Sequence, residues 1–238
     1  MDDNTLLKFP EGRYFMDELV RFTGFKNFGM IGDGATLVPA PADEYKTEAR
    51  MIKLGTYYSA GQNLHVEGFT VDFTAPNTGL RAFDLTVTDG LFVKDIVFEG
   101  VHNAGTWGPM HVDIVNSDGY GVVKNIEMPE GGIFTKKTAQ DAMPSVENGP
   151  TGFLLSPYHS GRLTSSTALS AHSRITVYTT PRAPDRSLSR AVGTRTATQH
   201  VFVSPVTEVV STGRKSLSLR TVKMMRVSTV FGSMVEAT

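Results

Sequence analysis

The sequence predicts an all-β protein: a right-handed parallel β-helix, a solenoid, over residues 1–164, followed by an irregular tail over residues 165–238. Three observations lead there. A short cornered motif recurs four times, second strands ending in turn signals lie between its copies, and the composition changes abruptly after residue 164.

The motif reads Phe25-Lys26-Asn27-Phe28-Gly29-Met30, then Val66-Glu67-Gly68-Phe69-Thr70-Val71. It returns as Val93-Lys94-Asp95-Ile96-Val97-Phe98 and Val123-Lys124-Asn125-Ile126-Glu127-Met128, at spacings of 41, 27 and 30 residues. Its first, fourth and sixth positions are apolar, its second is charged, and its third is Asn, Gly or Asp. Plain alternation would bury positions one, three and five, so the phase changes at position three. Asn, Gly and Asp best tolerate a left-handed backbone, which turns the chain there and aims both flanks at one core. Stacked coils then place corner residues Asn27, Gly68, Asp95 and Asn125 above one another at about 4.8 Å. Each coil buries its neighbour's face, as repeat architectures require.

Second strands lie upstream of later corners. Ala82–Val87 leads to Asp89-Gly90, His111–Asn116 to Asp118-Gly119, and Phe153–Ser156 to Ser160-Gly161. The long first spacing contains Pro39-Ala40-Pro41-Ala42-Asp43-Glu44, which reads as a surface loop inserted in one coil. An antiparallel sandwich also suits regular strands. The constant phase of the corner favours the β-helix. Gly32-Asp33-Gly34 lacks the third glycine of a dinucleotide fingerprint, and no amphipathic helix follows it.

Length and a 40% hydrophobic content allow one sizeable core. With no cysteine, disulfides and thiolate metal sites are excluded. No run approaches the roughly 18 apolar residues of a membrane span. The net charge of −1 hides an asymmetry. Residues 1–164 carry 21 acidic and 13 basic side chains, whereas residues 165–238 carry 3 and 10. Twenty of the 23 glycines and all eight asparagines lie in the first part.

The opening Thr5-Leu6-Leu7-Lys8-Phe9-Pro10-Glu11-Gly12-Arg13-Tyr14 resembles the first strand of pectin-lyase-like β-helix proteins. Asn27–Leu37, through Gly32-Asp33-Gly34-Ala35-Thr36, resembles their first full coil. Gly149–His159 is similar to a segment of the β-helix repeat proteins of halophilic archaea, whose acidic surfaces match the balance of residues 1–164. The resemblance implies a polysaccharide partner and an extracellular or cell-surface location. As written, the acidic start Met1-Asp2-Asp3-Asn4 has no signal-peptide core, which reads as cytoplasmic. The family's pectate lyases hold calcium with carboxylates and use an arginine base. Its polygalacturonases carry Asn-Thr-Asp, His-Gly and Arg-Ile-Lys strings, all absent from residues 1–164. No mechanism carries over, no metal site is read, and calcium is no more than a family possibility.

After Thr164 the corners stop although a new coil has begun. The expectation is a single-base slip near Ser165 that puts residues 165–238 out of frame. Shifted codons over Thr167–Tyr178 permit Asp-Cys-x-Val-Gly-Pro-Phe-Pro-Asp-Asn-Gly-Leu, which restores a corner in phase. The other reading is a genuine Ser/Thr/Arg-rich appendage. A chain without its later coils exposes an unpaired edge, which invites self-association. The alternating Gln199–Val203 is a candidate to pair at that edge.

Candidate chemistry is sparse. Asp84 and Asp113 sit between apolar neighbours at matching positions of successive coils, so they are expected to stack about 5 Å apart. Such a pair can share a proton, bind a cation or act as acid and nucleophile, or be two solvated carboxylates. His111 joins them as a catalytic candidate. Trp107 and His102, in the loop His102–Pro109, and Tyr158 and His159 in the next coil are the substrate-binding candidates. Basic residues of 1–164 are scattered, which argues against nucleic acid. Three functions remain: a polysaccharide-interacting scaffold that is a truncated, inactive copy, an active lyase or hydrolase, and a structural adhesion solenoid.

Overall fold

The computed structural model describes residues 1–45, 49–104, 108–133, 151–169, 174–178, 198–201, 207–211 and 217–221. Strands, numbered in chain order, fall into two sheets between which the chain alternates. One sheet stacks β1 (Thr5–Phe9), β4 (Lys26–Pro39), β6 (Gln62–Phe73), β8 (Leu91–Gly100), β10 (Tyr120–Met128) and β12 (Arg162–Leu169), with β2 (Gly12–Met16) also on β4. The other stacks β3 (Val20–Phe22), β5 (Arg50–Leu54), β7 (Arg81–Val87), β9 (Met110–Ile114), β11 (Thr151–Leu155) and β13 (Arg174–Tyr178). Every pairing among these strands is parallel. The fold is all-β and consistent with a parallel β-solenoid. One 3-10 turn, Ala42–Glu44, is the sole helical element among the described residues.

All four motif corners adopt the left-handed backbone, with φ of 54° at Asn27, 79° at Gly68, 53° at Asp95 and 52° at Asn125. They do not form one column. Met30 aligns with Val66, and Phe28 with Leu64, so the first motif copy is displaced along its coil. Asn27 belongs to a column with Asn4 and Asn63, both also left-handed. Asn27 Nδ2 donates to Asn4 Oδ1 and Asn63 Nδ2 to Asn27 Oδ1, each at 2.7 Å. Gly68, Asp95 and Asn125 make the second column, where Asn125 Nδ2 donates to Asp95 Oδ1 at 2.7 Å. Gly68 is the tightest step, because a Cβ there would lie 2.2 Å from the Gly32 carbonyl oxygen. The motif was legible, but each coil has two corners of the same chemistry, so sequence alone joined the wrong one.

The alternation delivers a continuous core. Val66, Val93 and Val123 stack in register, as do Phe69, Ile96 and Ile126, and all are buried. Phe83, Leu85 and Val87 of β7 meet them from the opposite sheet, with Phe83 against both Phe69 and Phe98 at 6.3 Å. Each such side chain contributes about 1.5–3 kcal/mol on burial. The Pro39–Glu44 segment is more than an inserted surface loop. Ala40, Ala42 and Tyr45 are buried in the core, and Arg50–Leu54, unread from the sequence, supplies strand β5.

The architecture changes at β12. Lys124 pairs with Ser166 and Ile126 with Thr167, so the corner residue Asn125 has no counterpart in β12. Beyond it β13 still lies parallel on β11, and the strands after β13 pair antiparallel. β15 (Thr207–Ser211) lies on β12, β16 (Leu217–Thr221) on β15, and β14 (Thr198–Val201) on β13.

Candidate functional site

Strand β7 reads Arg-Ala-Phe-Asp-Leu-Thr-Val, and every one of its seven residues is buried. Alternation turns Phe83, Leu85 and Val87 to the core and Asp84 and Thr86 to the other face. The parallel register sets Asp84 beside His111 and Thr86 beside Asp113. The expected Asp84–Asp113 stack is therefore corrected. The coil here spans 27 residues, the separation of Asp84 from His111, and Asp113 is displaced by one further step along the same face.

The imidazole fills that step. His111 Nδ1 lies 2.6 Å from Asp84 Oδ1, and its Nε2 lies 3.0 Å from Asp113 Oδ2. Arg50 Nε reaches Asp84 Oδ2 at 3.2 Å and Arg81 Nη1 stands 3.9 Å from the same oxygen. Asp113 accepts the Ser156 amide at 3.0 Å on Oδ1 and the Ser156 hydroxyl on Oδ2. Asp84 and Asp113 are 3% and 2% exposed, so the network is sealed from solvent on both carboxylates.

Electrostatics follow from that packing. Burial alone would raise Asp84, but His111 first, then Arg81 and Arg50, hold its carboxyl well below the usual carboxylate range. Burial would lower His111, yet Asp113 and Asp84 outweigh it and push the imidazole up to about 9. Near neutrality an Asp84 carboxylate therefore faces a protonated His111, with arginine at one end of the cluster and Ser156 at the other. Breaking such a buried pair from one side costs about 3–5 kcal/mol.

The network ends at a loop. Besides the Ser156 contacts, Ile114 N donates to His159 Nδ1 at 3.1 Å, and Ser160 N and Gly161 N both donate to the Ile114 carbonyl. The Tyr158 amide donates to Ser156 Oγ at 3.2 Å. Residues 156–161 are thus fastened to β9 and present Tyr158, half exposed, outward. Its ring stacks on Tyr57 at 4.2 Å, and Tyr58 stands edge-on to Tyr57 at 5.2 Å.

The other candidates separate. His102, expected in a sugar-binding loop, is 3% exposed and edge-on to Phe73, and burial with the nearby Arg81 pushes its pKa down to about 3. His159 is also lowered by burial. Trp107 lies outside the described residues. Sequence reasoning missed Arg50, Arg81, Ser156, Tyr57 and Tyr58. The tyrosines had a signal: two adjacent aromatics, Gly55-Thr56-Tyr57-Tyr58-Ser59-Ala60-Gly61, inside a turn bounded by glycines. The arginines had none, because their role depends on inter-coil register.

A shallow cleft of about 670 Å³ opens elsewhere, lined by Phe73, Glu99, Asn103 and Glu130 among others. No sequence-predicted site residue lines it among the described residues. Calcium, the cation that the family resemblance implies, does not suit Asp84 and Asp113. Their oxygens already face His111, Arg50 and Ser156, and a cation beside His111 and Arg50 would meet like charge. No group of three His, Cys, Asp or Glu placed to hold a metal is found among the described residues. No helix among them is long and apolar enough to cross a membrane.

No protein-family model matches this chain, no curated protein matches it in sequence, and no solved structure matches it.

Proposed function

We propose that the chain is a right-handed parallel β-helix of the pectin-lyase-like kind that binds polysaccharide at the cell surface or outside the cell without cleaving it. One observation carries this reading. Of the acidic and histidine groups able to do acid–base chemistry, Asp84 and Asp113 are buried and both are engaged by His111, whose side chain is 12% exposed, while the neighbouring Tyr158 faces solvent. A glycosidase needs a carboxyl pair open to the scissile bond at a defined separation. Here the pair is filled by an imidazole, and what reaches solvent is a binding surface.

The same reading treats residues 165–238 as out of frame. Its support is the lost corner opposite Asn125 and the change from parallel to antiparallel pairing after β13. The antiparallel strands then occupy the edge that a further coil would have used, and any remaining edge favours self-association. Sequencing the locus in its native source together with an intact mass of the native protein decides this. A genomic frame in which a single-base insertion or deletion restores the corner pattern supports it. An intact frame in several independent isolates would refute it.

Function is tested by retention of the purified chain on immobilised acidic and neutral polysaccharides. Retention on at least one polymer, reversed by the free polymer, is expected. No retention on any polymer, with concentration-dependent self-association instead, would favour a purely structural adhesion solenoid.

A further inference from the structure

We infer that Tyr57, Tyr58 and Tyr158 form a stacking platform for uncharged sugar rings. This deepens the polysaccharide reading above and rests on it. The platform joins two loops three coils apart in chain order, the turn Gly55–Gly61 after β5 and the turn Ser156–Gly161 after β11. All three rings are open to water, at 48%, 92% and 50% exposure.

The rings are held out rather than left out. Gly24 N donates to the Ser59 carbonyl at 3.0 Å, and Thr56 and Ser59 exchange backbone hydrogen bonds at 3.1 Å, which closes the Tyr57–Tyr58 turn. The other loop is tied to β9 through Ser156, His159, Ser160 and Gly161. The buried Asp84–His111–Asp113 network is the foundation of that second tie. An aromatic surface that cannot collapse inward is preorganised for a ligand and loses little entropy on binding. Tyr57 and Tyr158 each spend one face on their mutual stack. Tyr58 contacts Tyr57 edge-on and leaves its faces open. A phenol ring offers an apolar face for the C–H side of a pyranose and a hydroxyl for the sugar's edge.

Charge selects the class of sugar. Neither loop contains Lys, Arg, Asp or Glu. The turns between them carry Asp89 and Asp118, and residues 1–164 hold 21 acidic against 13 basic side chains. Arg162 begins β12 one residue after the second loop, and it pairs with Tyr120 in the neighbouring strand β10. A polyuronate arriving at the platform would meet like charge, whereas a neutral glycan would not.

The test is affinity electrophoresis of the full chain in a soluble neutral β-glucan, a galactomannan and polygalacturonate, with Tyr58→Ala, Tyr57→Ala/Tyr158→Ala and Tyr58→Phe beside the parent. The expected result is retardation by a neutral glycan, weakened about tenfold in Tyr58→Ala and further in the double variant, and kept in Tyr58→Phe. Tyr58 is almost fully exposed, so its variants should keep the parental Tm and report binding alone. Retardation unchanged in the alanine variants overturns the platform and leaves the polysaccharide reading standing. Retardation by polygalacturonate only overturns the neutral class. Loss of concentration-dependent self-association in Tyr58→Ala, without loss of glycan binding, assigns the rings to a second copy of the chain and also overturns the proposal. No retardation in any polymer removes both readings.

Discussion

The coils up to β13 and the strands after it are made by one chain under different rules. In the coils each strand lies parallel on its predecessor, and left-handed Asn, Asp and Gly residues stack at the corners. After β13 the last three strands lie antiparallel. Parallel stacking needs a chain that turns at the same place on every lap, and only residues that tolerate positive φ supply that turn without strain. An antiparallel strand needs no such lap. It can add to any open edge whose residues alternate, as Thr198–Val201 does on β13. Regular coils therefore record selection on corners, whereas edge pairing demands little of a sequence.

Substitutions that strike the coil interior should break this contrast most strongly. Phe83→Ala removes a fully buried ring between Phe69 and Phe98 and should cost about 3–5 kcal/mol, read as a lowered midpoint in denaturant. Asp84→Ala should cost a similar amount, about 3–5 kcal/mol, because it leaves His111, Arg50 and Arg81 without their shared carboxylate. A change below about 1 kcal/mol in Asp84→Ala would mean that the network is solvated rather than structural.

Corner changes come next. Gly68→Ala should exceed Asn125→Ala, since it adds a Cβ against the Gly32 carbonyl as well as strain at positive φ. Asn125→Ala should cost about 1–3 kcal/mol from backbone strain and the lost ladder bond to Asp95. Asn125→Gly should recover part of that loss. Equal effects from both alanine variants would remove steric crowding from the account.

The pH dependence spreads its effect over several pH units. His111 is raised from 6.5 to about 9, so its stabilisation is complete below pH 6.5 and is lost as pH rises toward 9. His102 is lowered to about 3, so its neutral buried form is favourable above pH 6.5 and stability falls as pH drops below that value. His159, also lowered, adds to the acid limb, and Asp84 adds further loss below its ordinary 3.8. Thermal midpoints should peak near pH 6.5, with limbs of about 1.4 kcal/mol per pH unit per group. His111→Gln should flatten the alkaline limb and His102→Gln the acid limb. A peak that stays equally sharp in both variants would contradict these assignments.

Much of the fold was legible because corners leave a local trace. The residues Asn27, Gly68, Asp95 and Asn125 announce their backbone by type, and β7, β9 and β11 announce themselves by short apolar-rich runs that end in turn signals. Which corner stacks on which is a matter of coil length, and that is invisible until strands such as β5 are found inside an apparent insertion. The site suffered the same ambiguity. Asp84, His111 and Asp113 were recognisable as a group, yet a two-residue offset in register decides between a carboxylate pair and an ion cluster bridged by imidazole. Ser156 joins that cluster from the next coil through Asp113, and nothing in its local sequence marks it.

The central claim is that Asp84, His111 and Asp113 hold a binding surface in place and turn nothing over. Its most direct test is product formation. The full chain is incubated with the neutral glycans and polygalacturonate, and new reducing ends and unsaturated products are followed beside an Asp113→Ala control. No product is expected from either protein, with glycan binding weakened in Asp113→Ala as the Tyr158 loop loses its tie through Ser156. Product formed by the parent chain and abolished in a folded Asp113→Ala would contradict it.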